Sequence, residues 1–120
     1  MAGVFNDQHA FRFDCDGTAG PFDFVCTRGW LVTDCMAAID AAAAGATAQL
    51  QRSVAGASPP VFNNVTDAMA AAALNQITFA GQIQSAQMTF SAGDTMRIAV
   101  TNTPQAQVIV ETIPTTWVAG

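Results

Sequence analysis

The stretch that most restricts what this chain can become runs from Ser91 to Thr101. Met96, Ile98 and Val100 alternate there with Thr95, Arg97, Ala99 and Thr101. A period of two that gathers apolar residues on one side describes a strand lying half-buried on a core. Just upstream, Met88 and Phe90 share one face while Gln87 and Thr89 take the other, and Ala92-Gly93-Asp94 is a turn signal between the two runs. A short connection containing glycine predicts a β-hairpin over 86–101, with Val108 to Ile113 as its next strand.

The same period recurs along the chain. Residues 1–10 carry none and read as an arm or loop, with Phe5 as an anchor. Phe11, Phe13 and Cys15 alternate with Arg12 and Asp14, then Asp16 to Pro21 turns on its glycines and proline. Phe22, Phe24 and Cys26 share a second face, and Trp30 to Cys35 is extended again. The segment Cys35 to Ala44 fits two descriptions. Its alanines favour a helix with Asp34 as N-cap and Gly45 as stop, while a strand to about Ile39 followed by an Ala-rich loop fits nearly as well. Thr47 to Val54 alternates as a strand, Ala55 to Pro60 is a loop, and Gln76 to Phe79 is a further short strand. One short helix is expected over 66–74: Thr66 can cap it, Asp67 suits its positive end, Ala68 to Leu74 are strong formers, and Asn75 can end it.

Many short strands with turns every eight to twelve residues predict a mainly β, jelly-roll-like antiparallel β-sandwich with one short helix. A chain of 120 residues is one domain's worth. It divides into an N-terminal arm 1–12, a sandwich domain 13–113 and a C-terminal tail 114–120.

Charge narrows the partners. The positive residues are Arg12, Arg28, Arg52 and Arg97, with no lysine, against nine acids and a net charge of −5. That balance argues against nucleic acid, whose affinity comes largely from Lys and Arg on phosphates. Charged residues are only 11% of the chain, below the ~25% usual for soluble domains. A surface of Ala, Thr, Gln and Asn is easily dehydrated, as interface cores are, which favours a subunit of an assembly. No apolar run reaches the ~18 residues of a membrane span. The segment Met1 to Asp7 lacks the basic stretch and apolar core of a signal peptide, so a reducing cytoplasm is the expected site of synthesis. Without export, the sequon Asn64-Val65-Thr66 has no route to a glycan.

Chemistry-bearing patterns are few. Asp14-Cys15-Asp16-Gly17-Thr18 has the Asp-x-Asp-Gly-Thr form of the haloacid-dehalogenase phosphatases, in which the first Asp attacks phosphorus and the second is acid/base around Mg²⁺. That chemistry also needs a cation over the phosphate and further acids downstream. The chain has no lysine for it, no acidic pair near its end, and no room for repeated βα units. As an EF-hand loop, the twelfth position from Asp14 is Val25 where a glutamate is required. Asp14, Asp16 and Asp23 could gather a divalent cation, against the plainer reading of three solvated acids. Cys15, Cys26 and Cys35 lack Cys-x-x-Cys spacing and read as buried small hydrophobes. His9 is the single histidine, in a segment without predicted order, and no Gly-x-Ser-x-Gly elbow is present. No catalytic, cofactor-binding or metal-binding residue is therefore assigned. Phe5, Trp30 and Trp117 could form an aromatic platform for a sugar, or be core and interface anchors.

Several blocks carry a resemblance. Val32-Thr33-Asp34, Ala48-Gln49-Leu50-Gln51-Arg52 and Asn64-Val65-Thr66-Asp67-Ala68-Met69 are similar to blocks in small structural proteins of tailed bacteriophages. Ala86 to Thr101, with its Gly-Asp-Thr-Met-Arg-Ile core, and Val108-Ile109-Val110 continue the match, which covers about 30–113. The Ala-rich 37–46 segment departs from it. The chain thus resembles capsid decoration (cement) proteins, commonly trimeric β-sandwiches seated on the major capsid protein. The resemblance implies a non-enzymatic virion protein on the capsid surface, a homotrimer that stabilises the expanded head. On that reading the arm 1–12, with Val4, Phe5, His9 and Phe11, is expected to reach neighbouring chains or the capsid, and Trp117 in the tail to pack at an interface. The alternative is a carbohydrate-binding or head-fibre sandwich.

Overall fold

The computed structural model describes residues 4–7, 10–74 and 76–117, with backbone alone at 4–7 and 117. Among them are eleven strands and one turn of 3-10 helix, Thr115–Trp117. The strands are β1 (Val4–Asp7), β2 (Ala10–Asp16), β3 (Phe22–Val25), β4 (Trp30–Ala41), β5 (Thr47–Ser53) and β6 (Phe62–Asn64). They continue with β7 (Met69–Ala70), β8 (Ile77–Phe79), β9 (Thr89–Phe90), β10 (Thr95–Thr101) and β11 (Gln105–Pro114).

Two antiparallel sheets pack face to face. The first has the order β1-β2-β11-β4-β8, with β9 also on β4; the second has β3-β10-β5-β6, with β7 also on β5. The alternation seen in the sequence supplies the core between them. Phe11, Phe13, Val108 and Val110 come from the first sheet, and Leu50, Met96 and Ile98 from the second, all 0% exposed. Phe11 bridges the layers, its ring 5.1 Å from that of Phe24 and in edge contact with Trp30 at 5.3 Å. Burying a side chain of this size contributes about 2–3 kcal/mol.

The expected hairpin over 86–101 is not formed. β9 pairs with Trp30 and Leu31 in the first sheet, whereas β10 lies between β3 and β5 in the second. The turn between them carries the chain across the sandwich. Gly93 sits there at φ +91°, where a Cβ would lie 3.0 Å from that of Ala55, so the position requires glycine. Its amide donates to Cys26 O at 2.7 Å, and the Cys26 amide donates to Asp94 O at 2.8 Å. The strand after β10 also changes sheet: β11 pairs with β2 and β4, not with β10.

The helix expected over 66–74 is absent as well. Thr66 and Asp67 do not cap a following helix with their side chains. The Thr66 hydroxyl accepts from the Leu50 amide at 3.2 Å and donates to Asp67 O, and Asp67 Oδ1 accepts from the Gly81 amide at 3.0 Å. Met69 and Ala71 are buried while Ala68 and Ala70 are exposed, an extended pattern laid along β5. Packing has overridden alanine's helix propensity. Asn75, the expected helix stop, lies outside the described residues.

Of the two descriptions open for Cys35 to Ala44, the strand is the one formed, and β4 continues to Ala41. Thr33 is an extra residue in its pairing with β11, a β-bulge that shifts the phase. Trp30 and Val32 face the core before it, and Cys35, Ala37 and Ile39 after it. The Thr33 hydroxyl donates to Glu111 O, and the Cys35 amide donates to Asp34 Oδ1 at 2.8 Å. The segment assigned to the arm also contributes to the first sheet. β1 pairs with β2, Val4 opposite Phe13 and Phe5 opposite Arg12, and residues 10–12 belong to β2 itself.

Candidate functional site

Among the described residues, three places stand out for chemistry or exposed apolar surface. The first is an open depression of about 320 Å³ at the end of β2, lined by Asp14, Cys15, Asp16, Asp40 and residues 105–107 of β11. It contains the Asp-x-Asp motif. Asp16 Oδ1 is occupied by Thr18, whose hydroxyl donates at 2.7 Å and whose amide donates at 3.3 Å. Those bonds hold the Asp16 carboxyl below its usual pKa. Arg12 Nε lies 3.7 Å from Asp14 Oδ1. Every strand pairing among the described residues is antiparallel, so the motif does not sit in the parallel βα frame of a dehalogenase-type phosphatase.

The cation cluster considered for Asp14, Asp16 and Asp23 does not assemble. Asp23 lies in the second sheet, where it accepts two hydrogen bonds from Arg97 at 2.7 and 2.9 Å. The Arg97 guanidinium also stacks 3.6 Å above the Phe62 ring. Among the described residues no group of three or more His, Cys, Asp or Glu is arranged to hold a metal. The cysteines are buried, and burial pushes all three thiols up to about 12. A shift in that direction disfavours the reactive thiolate at neutral pH.

The second place is the corner between β9 and β10. Asp94 is 1% exposed, and its carboxylate accepts from the Ser91 amide, the Ala55 amide and Arg52 Nε, at 2.9, 2.9 and 3.0 Å. Burial acts to raise its pKa, but these donors and the Arg52 charge outweigh it and hold the carboxyl below the usual range. Arg52 is fixed in turn by Gln87 Oε1 at 3.1 Å. The arrangement is a staple between the end of β5 and the corner.

The third is apolar surface. Val25, Val54 and Val61 are 50–61% exposed at one end of the second sheet, and Ile77 and Phe79 are 61% and 56% exposed on β8. In the register, Phe79 lies opposite Met36 and Ile77 opposite Ala38. Met36 is in turn opposite Ile109, so a half-exposed apolar row crosses the outer face.

The residues expected to meet a partner are dispersed. Phe11 is wholly buried between the sheets, because its alternation with Arg12 places it inward; it belongs to the core. Val4 and Phe5 lie on β1 at the edge of the first sheet, and Trp117 ends the 3-10 turn; the side chains of all three, and His9 entirely, lie outside the described residues. Trp30, considered for a sugar platform, is 4% exposed and too enclosed to offer a stacking face. The sequence alone does not single out the exposed residues of β8, although Ile77-Thr78-Phe79 alternates. What marks them is that neither face of so short a strand has a charged residue.

Comparison with protein-family models, curated proteins and solved structures gave no match.

Proposed function

We propose that the chain is a virion structural protein of a tailed bacteriophage, a capsid decoration protein. Its sandwich, with jelly-roll-like winding, would trimerise, seat on the major capsid protein lattice and stabilise the expanded head. The observation that carries this reading is large apolar side chains standing exposed on a two-sheet frame, in a chain with 11% charged residues. Apolar exposure of this kind marks surfaces that are covered in an assembly. The blocks that resemble phage structural proteins lie on the same frame: Val32 to Asp34 at the bulge of β4, Ala48 to Arg52 in β5, and Gly93 to Ile98 at the corner.

The mechanism is mechanical and uses no cofactor. Each subunit clamps neighbouring capsomers through contacts that are individually weak, and lattice symmetry multiplies them into avidity against internal pressure. Synthesis would be in the bacterial host cytoplasm and residence on the capsid surface, with no role for membrane or nucleic acid.

The test is cosedimentation of purified protein with expanded and unexpanded empty phage heads, after light scattering of the protein alone. A trimer that saturates expanded heads is expected. A form truncated by residues 1–7, which keeps β2 whole, should bind with lower occupancy if the arm takes part. Failure of the full chain to bind any expanded head refutes the function.

A further inference from the structure

β8 is an end strand of the first sheet, and its hydrogen bonding leaves one edge open. In an antiparallel ladder, opposite residues alternate between pairs that exchange both bonds and pairs that exchange none. The Ile39 amide donates to Gln76 O at 2.9 Å, and the Ala80 amide donates to Cys35 O at 2.9 Å. With Thr78 opposite Ala37 in the same register, the residues bonded to β4 are Gln76, Thr78 and Ala80. Ile77 and Phe79 therefore aim their N–H and C=O groups out of the sheet. Among the described residues, none donates to or accepts from these groups. They form a row of two donors and two acceptors at strand spacing.

Sheet edges usually carry a guard against pairing, such as a charge, a proline or a bulge. The segment Gln76 to Ala80 has no charge and no proline, and its pairing with β4 has no bulge. By contrast β3, the end strand of the second sheet, carries Asp23 in an ion pair. The side chains next to the open edge of β8 are the exposed Ile77 and Phe79. An extended backbone with apolar residues at alternate positions is the chemistry that fits.

The register of β8 meets that requirement itself. Two copies placed antiparallel about a twofold axis at Thr78 put Ile77 of each opposite Phe79 of the other. Both of these pairs fall at the free bonding positions, so four main-chain hydrogen bonds form. Aliphatic and aromatic side chains then meet across the join on the outer face, a favourable cross-strand pair. Each chain carries a net charge of −5, and the segment Gln76 to Ala80 contributes none of it. Three residues of strand cover far less than the ~800 Å² per partner of a standard interface, so the contact is weak alone and gains strength where copies are held close.

We propose that β8 is a self-association edge through which two copies of the chain join their first sheets into one continuous sheet, antiparallel about Thr78. The inference stands on the hydrogen-bond register and does not depend on the capsid reading.

Sedimentation velocity of the full chain up to about millimolar concentration tests it, because an interface well below standard size associates weakly. Wild type should show concentration-dependent association, and Phe79→Lys should weaken that step at least about tenfold. Any oligomer formed through another surface persists in the variant. Thr78→Cys should cross-link to a second copy on mild oxidation, since opposite Cα atoms at a non-bonded antiparallel position are about 4.5 Å apart, within disulfide reach. Thr101→Cys, exposed on β10 of the second sheet and outside the exposed apolar surface, is the control for random collision. Concentration-independent sedimentation, association unaffected by Phe79→Lys, or equal cross-linking of the two cysteine variants overturns the proposal. Failure to bind phage heads would remove the proposed function and leave this result untouched.

Discussion

Asp94 accepts a hydrogen bond from Arg52 Nε at 3.0 Å, and this pair closes the corner where the chain passes from one sheet to the other. The partners are far apart in sequence, and their side chains are 2% and 17% exposed. The pair is therefore mostly withdrawn from solvent, and removing one member leaves the other stranded. Asp94→Ala also deprives the Ser91 and Ala55 amides of their acceptor. The expected cost is about 3–5 kcal/mol, read from urea unfolding. Arg52→Met keeps both amide bonds and should cost clearly less, with the double variant no worse than Asp94→Ala alone. Equal and additive losses would mean that the two groups act independently.

Acid should open the same corner. The Asp94 carboxyl is held below its usual range in the folded chain. A group with a depressed folded pKa contributes stability above its unfolded value, near 3.9, and loses it as pH falls through the folded value. Unfolding free energy should thus decline below about pH 4. Asp94→Asn should be less stable at neutral pH and show a shallower decline. Parallel pH profiles for the two proteins would show that other carboxylates govern the acid limb.

The thiols offer a probe of the sandwich as a whole. Cys15, Cys26 and Cys35 are 4%, 2% and 0% exposed, and burial pushes each thiol up to about 12. An aromatic disulfide reagent at neutral pH should find no reactive thiol in the native protein and three in denaturant. The native labelling rate should then follow global unfolding, rising in Asp94→Ala about tenfold for each ~1.4 kcal/mol of lost stability. Rapid labelling of one thiol in the wild type would indicate local opening around that strand.

How far the sequence could be read depends on how each strand meets its partners. Phe11 to Cys15 and Met96 to Val100 keep strict alternation between an apolar interior and a polar exterior, and both strands were legible. In β4 the bulge at Thr33 shifts the inward face from even to odd positions, and the alanines beyond it give almost no contrast between faces. Helix and strand were therefore equally consistent with Cys35 to Ala44. The run from Ala68 to Leu74 failed for a different reason: local propensity carries no information about β5, the neighbour that holds it extended. Alternation on either side of Gly93 looked like a hairpin because pairing partners are not encoded locally. The pairing of β9 with β4 and of β10 with β3 and β5 is what makes the turn a link between two layers. The candidate site was less legible still, since an open edge is a property of the register and not of residue type.

Phe11 separates the fold from its surface in a way that can be measured. Placed in the N-terminal arm, it was expected to contact a partner; in the structure its ring is enclosed by Phe24 and Trp30. If it is core, Phe11→Ala should cost about 3–5 kcal/mol, and Phe11→Leu, which keeps most of the volume, should recover much of that. Self-association and head binding by the Leu variant should then match wild type under conditions where both are folded. A partner contact gives the opposite outcome, with stability almost unchanged and association lost. Thermal unfolding and sedimentation of the same two variants distinguish the cases, and the 0% exposure of the ring predicts the first.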